Sequence, residues 1–175
     1  MSKILATALL LLLVVHGDAV GASEAAAAEG LGWIKAVVGE WEGTYEWTGE
    51  NTGSGEIQAK YYLTGNGSAV IEDHYYSGSD PVMSSVFHLD GDDLRMTHFC
   101  AGNNQPRLKA DTIDSEERSV FFSMVDITNL ASPDAGHVNS VKVEFPSDDE
   151  LIVEFGYTRA GKKSLERIEL RRVSD

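Results

Sequence analysis

From Gly39 onward the chain is cut into short strand-like runs roughly every ten residues. Turn residues part them at Asn66-Gly67, Asp90-Gly91, Asp114 to Glu117, Ser147 to Asp149 and Ala160-Gly161. Many short strands with regular turns fold into a sandwich or an up-and-down barrel. About ten strands can be marked out by this rule. We therefore expect an all-β domain over residues 39–175, a single antiparallel up-and-down barrel preceded by a short helix.

Alternation along these runs says which side chains face inward, because successive strand residues point to opposite sides. Trp41, Tyr45 and Trp47 share a face opposite Glu42, Thr44 and Glu46. Val141, Val143 and Phe145 oppose Lys142 and Glu144, and Leu151, Val153, Phe155 and Tyr157 oppose Ile152 and Glu154. Ile168 and Leu170 oppose Arg167, Glu169 and Arg171. One apolar face per strand suits a closed barrel with a solvated outside.

The stretch Val86 to Arg107 is the richest in chemistry, with two of the five histidines and the single cysteine. An even turn at Asp90-Gly91 puts Phe87 and Leu89 on one face with Leu94 and Met96. The same register turns Ser85, His98 and Cys100 inward, and His88 and Arg95 outward. A one-residue bulge would reverse this. Around Glu72 and His74 the pattern is ambiguous. An even turn at Asn66-Gly67 turns them inward with Val70, Tyr76, Tyr61 and Leu63, yet Ile71 and Asp73 suit the inside equally. The solvated outer face is the reading we carry for Glu72 and His74.

Residues 1–22 have the order of a secretory signal peptide: Lys3, an apolar run from Ile4 to Val15, then small residues ending Val20-Gly21-Ala22. The apolar run is shorter than the roughly 20 residues that span a bilayer. Cleavage is expected after Ala22, giving a secreted or periplasmic protein with no membrane insertion. Residues 23–38 then hold Leu31, Ile34, Val37 and Val38 at helical spacing, ending at Gly39 as a C-cap.

About 150 of the 175 residues remain after such cleavage, enough for one domain with a core. Net charge is −14, and removing Lys3 and Asp18 with the leader leaves it unchanged. That charge repels phosphate backbones and anionic lipid, which argues against nucleic-acid and membrane-surface roles. One cysteine makes no internal disulfide, so the fold stands on packing.

His98 and Cys100 sit two apart on one strand face, with side chains roughly 7 Å apart. That is too far for a direct thiol–imidazole nucleophile, but a metal at about 2.0–2.3 Å from each ligand can bridge it. His137 leads the face that runs on through Asn139, Val141 and Val143, so it too reads inward. His98, Cys100 and His137 facing one lumen suit zinc or copper. The plainer reading is a hydrogen-bonded lumen histidine and a buried thiol. Asn103, Asn104, Gln105 and Arg107 surround Pro106 at a strand end, as a polar mouth for a carboxylate or sugar or as ordinary turn chemistry.

Gly39-Glu40-Trp41, after a short helix and opening the first strand, resembles the Gly-x-Trp signature of calycins, which include lipocalins, fatty-acid-binding proteins and nitrobindin-like barrels. In such barrels a late basic residue packs over that tryptophan, and the resemblance gives this structural role to Trp41 and Arg172. The chain is also similar to uncharacterised secreted bacterial proteins with a HLDGDxLxxTHxCxxGNQPR-type pattern. Here that pattern stands as His88 to Asp92, Thr97 to Cys100 and Asn104 to Arg107, continuing through Asp126 to Leu130 and Gly136-His137. This likeness brings no activity with it. Nitrobindins use a heme-ligating histidine late in the chain, and none follows His137 here, so heme is not expected.

These readings lead to a secreted barrel that binds a small, partly apolar ligand in its lumen, contacted by His98, Cys100, Gln105, Arg107 and His137. The alternative is a metal-binding protein or metal-dependent enzyme that uses His98, Cys100 and His137. A third is a barrel filled by its own side chains. No Ser-His-Asp order, phosphate loop or nucleotide fingerprint selects a reaction.

Overall fold

The computed structural model describes residues 18–174, with side chains from Glu24 onward. It opens with helix α1 (Asp18–Ala36) and continues as ten strands. These are β1 (Gly39–Gly49), β2 (Gly53–Thr64), β3 (Ala69–Tyr75), β4 (Met83–Asp90) and β5 (Asp93–Phe99), then β6 (Gln105–Asp114), β7 (Ser119–Thr128), β8 (His137–Ser147), β9 (Glu150–Arg159) and β10 (Lys162–Arg172). Each strand pairs antiparallel with the next, and β1 also pairs with β10, which closes the barrel. The expected all-β up-and-down barrel is the observed one.

The helix is longer than expected and begins before Ala22, consistent with the strong helix preference of its alanine run. Residues 1–17 of the expected leader lie outside the described residues. Ala27, Leu31, Ile34 and Val37 are buried and close one end of the barrel. Gly30 lets the helix lie close to β5, since a Cβ there would stand 3.0 Å from the Leu94 side chain. Trp33 packs against Phe145 at 5.9 Å between ring centroids.

The same end holds the pairing expected from the calycin resemblance. Arg172 lies over Trp41, with its guanidinium carbon 4.4 Å from the ring centroid. The Trp41 indole N–H donates to the Val37 carbonyl at 2.8 Å. Arg172 donates to the Val38 and Ala36 carbonyls at 2.9 and 3.1 Å. A cation thus meets the orphan carbonyls at the helix C-terminus, where charge and donors are both stabilising.

Above this plug the lumen is packed by residues of the predicted inward faces, among them Phe87, Met96, Val143, Val153 and Ile168, together with Phe122 of β7, and all are buried. The central hairpin has the expected register, with Leu89 opposite Leu94, Phe87 opposite Met96 and Ser85 opposite His98. Leu89 alone is more open, at the rim of the barrel. In β1 Gly43 is obligatory, because a Cβ would lie 1.8 Å from the Glu169 carbonyl oxygen on β10. A concavity of about 590 Å³ dents the outside here, rimmed by Glu42, Glu56, Glu150 and Arg171. It lies outside the barrel and has no contact with the lumen groups below.

Candidate functional site: the open end of the barrel

At the end opposite α1 the packing stops and a cavity of about 370 Å³ opens. Its walls are largely aromatic, from Tyr45, Trp47, Tyr76, Phe155 and Tyr157. Tyr45 meets Tyr76 edge-on at 5.0 Å, and Trp47 meets Tyr157 edge-on at 5.6 Å. Edge-to-face pairs of this kind are worth about 0.5–1.5 kcal/mol each beyond the area they bury. Gly136, in the β7–β8 loop, makes room for this wall, since a Cβ there would stand 1.7 Å from the Tyr157 hydroxyl. Charged and polar groups reach the cavity from His98, Cys100 and Glu166.

Below the cavity floor a polar row crosses four strands in register. Tyr61 stands opposite Glu72, Glu72 opposite Ser85, and Ser85 opposite His98. The Tyr61 hydroxyl donates to the Glu72 carboxylate, and His74 Nε2 lies 3.0 Å from the same carboxylate oxygen. Burial by itself pushes the Glu72 carboxyl up. The His74 charge, with the Tyr61 hydroxyl as donor, outweighs burial and holds it at about 2. Burial likewise pushes His74 down, but the Glu72 charge and contact, with Glu166 and Asp73 behind them, leave it raised. Glu72 and His74 therefore form a buried ion pair.

His98 behaves in the opposite way. It is fully buried, and burial together with the nearby His74 charge lowers it to about 4. Its Nδ1 is 3.1 Å from the Ser85 hydroxyl, and its Nε2 is buried without a partner. The ring is then neutral, with Ser85 at its Nδ1 and its unpartnered Nε2 at the cavity wall. Phe155 packs beside it at 5.1 Å.

Glu166 stands opposite Trp47 on β1 and Phe155 on β9, and is 1% exposed. Tyr76 donates its hydroxyl to Glu166 at 2.8 Å. Burial is the largest influence on its carboxyl and raises it, against this donor and the His74 charge. Burial also raises the Cys100 thiol, whose sulfur accepts the Gly102 N–H at 3.4 Å.

The expected site residues separate into two groups. His98 and Cys100 are at the cavity, on the inward face that the hairpin register requires. His137 is not, because a bulge between Val138 and Ser140 reverses the phase of β8. Val138 takes the inward position, and His137 Nδ1 contacts the Ala135 carbonyl at 2.9 Å. Gln105 and Arg107 also turn away, since Pro106 and Leu108 occupy the inward positions of β6. Arg107 grips Asp126 through two bonds of 2.5 and 2.7 Å on the outer wall, and Gln105 accepts from Thr128. Among the described residues no three His, Cys, Asp or Glu side chains converge as a metal ligand set. The outer-face reading of Glu72 and His74 is likewise overturned, as both are 1% exposed within the lumen. Their mutual neutralisation makes this inward position tolerable for two ionisable groups.

Glu166 was missed, while Asn104 belongs to the polar stretch the sequence placed at the mouth. Glu166 was legible, being two residues before Ile168 and so on its inward face. Asn104 is 1% exposed and donates to the Gly136 carbonyl at 2.9 Å, tying the β5–β6 and β7–β8 loops together at the mouth. No pattern in the sequence marks that bond.

No protein-family model and no curated protein matches this chain in sequence. Solved structures match it in shape. Rv2717c from M. tuberculosis is 13% identical, with a TM-score of 0.58 over 83% of this chain and 98% of that one. A protein of unknown function of the DUF3598 family from Nostoc punctiforme PCC 73102 is 13% identical, with a TM-score of 0.51 over 80% of this chain. The match spans about half of that protein, 49% of its length. At such identities the likeness is one of fold, shown here by a closed ten-stranded antiparallel barrel.

Proposed function

We propose that this protein binds a small, partly apolar ligand in the open end of its barrel, and that it does so outside the cytoplasm. The observation that carries the reading is the cavity of about 370 Å³ with aromatic walls and few polar atoms. This is within the usual range for small-molecule sites, roughly 300–1,000 Å³. The unpartnered Nε2 of His98 supports the same reading, because a buried polar atom without a partner is costly and a polar group of a ligand satisfies it. Export rests on Lys3, the apolar run and the small residues up to Ala22.

Titration with N-phenyl-1-naphthylamine, a neutral apolar fluorophore with one N–H, tests the binding reading. The expected result is a saturable rise in emission at one molecule per barrel, abolished in Cys100→Phe, which fills the mouth. No saturable uptake, or uptake unchanged by Cys100→Phe, overturns it.

A further inference from the structure

The lumen groups point to a particular ligand charge. Two carboxylates, Glu72 and Glu166, face a single cation, His74, and His98 is neutral. Glu72 and His74 neutralise one another at 3.0 Å. Glu166 is left with only a hydrogen-bond donor, Tyr76, and among the described residues no lysine or arginine lines the cavity. An isolated buried carboxylate is unfavourable unless a positive charge or a proton joins it.

The surroundings of Glu166 suit a positive charge of organic type. Tyr45, Trp47, Tyr76 and Tyr157 share its cavity, and aromatic ring faces attract ammonium groups, most strongly where water is excluded. A bare metal ion fits poorly, since hard cations take six or more oxygen ligands and Glu166 is the only carboxylate at the cavity wall. A carboxylate ligand fits worse, because it meets Glu166 with no cation to receive it. Arg107, the guanidinium that the sequence placed at the mouth, is held by Asp126 outside.

Building on the lumen-binding reading, we propose that the ligand is a small organic cation, a protonated amine with an apolar body. Its ammonium group sits on Glu166 within the cage of Tyr45, Trp47, Tyr76 and Tyr157, and its body lies against Phe155 and Val138. A second polar group on the ligand pairs with His98 Nε2. The net charge of −14 draws such cations toward the barrel.

The test is calorimetric titration of the full-length mature protein with three probes of one shape: phenethylamine, 2-phenylethanol and 3-phenylpropanoate. The expected order is amine first, about tenfold tighter than the alcohol, with the carboxylate weakest. That factor corresponds to about 1.4 kcal/mol. Glu166→Gln should bring the amine-to-alcohol ratio toward one. Trp47→Leu should lower it by several fold, which keeps the test decisive if Glu166→Gln does not fold. An amine that binds no better than the alcohol, or a ratio indifferent to both variants, overturns the cation assignment and leaves lumen binding standing. Failure of all three probes together with N-phenyl-1-naphthylamine overturns both.

Discussion

Arg172 and Trp41 stand opposite one another across β10 and β1, with the guanidinium 4.4 Å above the indole. Both also hold the end of α1, Trp41 through Val37 and Arg172 through Ala36 and Val38. The last residue of the last strand thus locks the helix that plugs the barrel, and closes the sheet at the same point.

Replacing Arg172 with alanine removes a cation–π contact, worth about 0.5–2 kcal/mol, and leaves the helix carbonyls without donors. The expected loss is about 2 kcal/mol. For a domain of this size that lowers Tm by roughly 4–8 °C in calorimetry. Arg172→Lys should recover only part of it, because an ammonium cannot reach the Val38, Ala36 and Asp148 carbonyls in one fork. Full rescue by lysine would show that charge alone acts here.

The buried Glu72–His74 pair predicts a stability loss that depends on pH. The Glu72 carboxyl is depressed to about 2, so its contribution is present above its unfolded value of 4.5 and fades as pH falls toward 2. His74 is raised above 6.5, so its contribution is full below 6.5 and fades as pH rises through the higher folded value. Glu72→Gln should therefore cost most between pH 4.5 and 6.5, about 3–5 kcal/mol. The difference from wild type should shrink above that window. Urea unfolding across pH reads this directly, and a constant difference would contradict a charged pair.

His98 contributes with the opposite sign. Its folded value of about 4 lies below the unfolded 6.5, so the unfolded chain binds the proton first on acidification. Stability should fall by about 3 kcal/mol between pH 6.5 and 4 on this account. The window lies above most of the Glu72 loss. His98→Gln should flatten it, read as the urea midpoint at pH 7 against pH 4.5. In wild type, nitrogen NMR of the ring should show a neutral imidazole at pH 6. An imidazolium at that pH would contradict the lowered value.

Alternation alone carried much of this molecule. It set the inward faces of β1, β4, β5, β9 and β10 and brought His98 to the lumen, because a strand has only two sides and a regular ladder preserves phase. Gly39-Glu40-Trp41 and Arg172 were legible for a similar reason, as short signals at fixed strand positions. What the sequence could not carry was any fact that depends on a broken ladder or on a neighbour distant in sequence. The bulge at Val138–Ser140 turned His137 out and Val138 in, and no residue type announces such a bulge. Glu72 and His74 read as outer-face residues until Tyr61, Ser85 and Glu166, from three other strands, surrounded and neutralised them. Periodicity, a local property, thus determined the barrel. The charge of its cavity is a sum over side chains that only closure brings together, and the tertiary structure decided it.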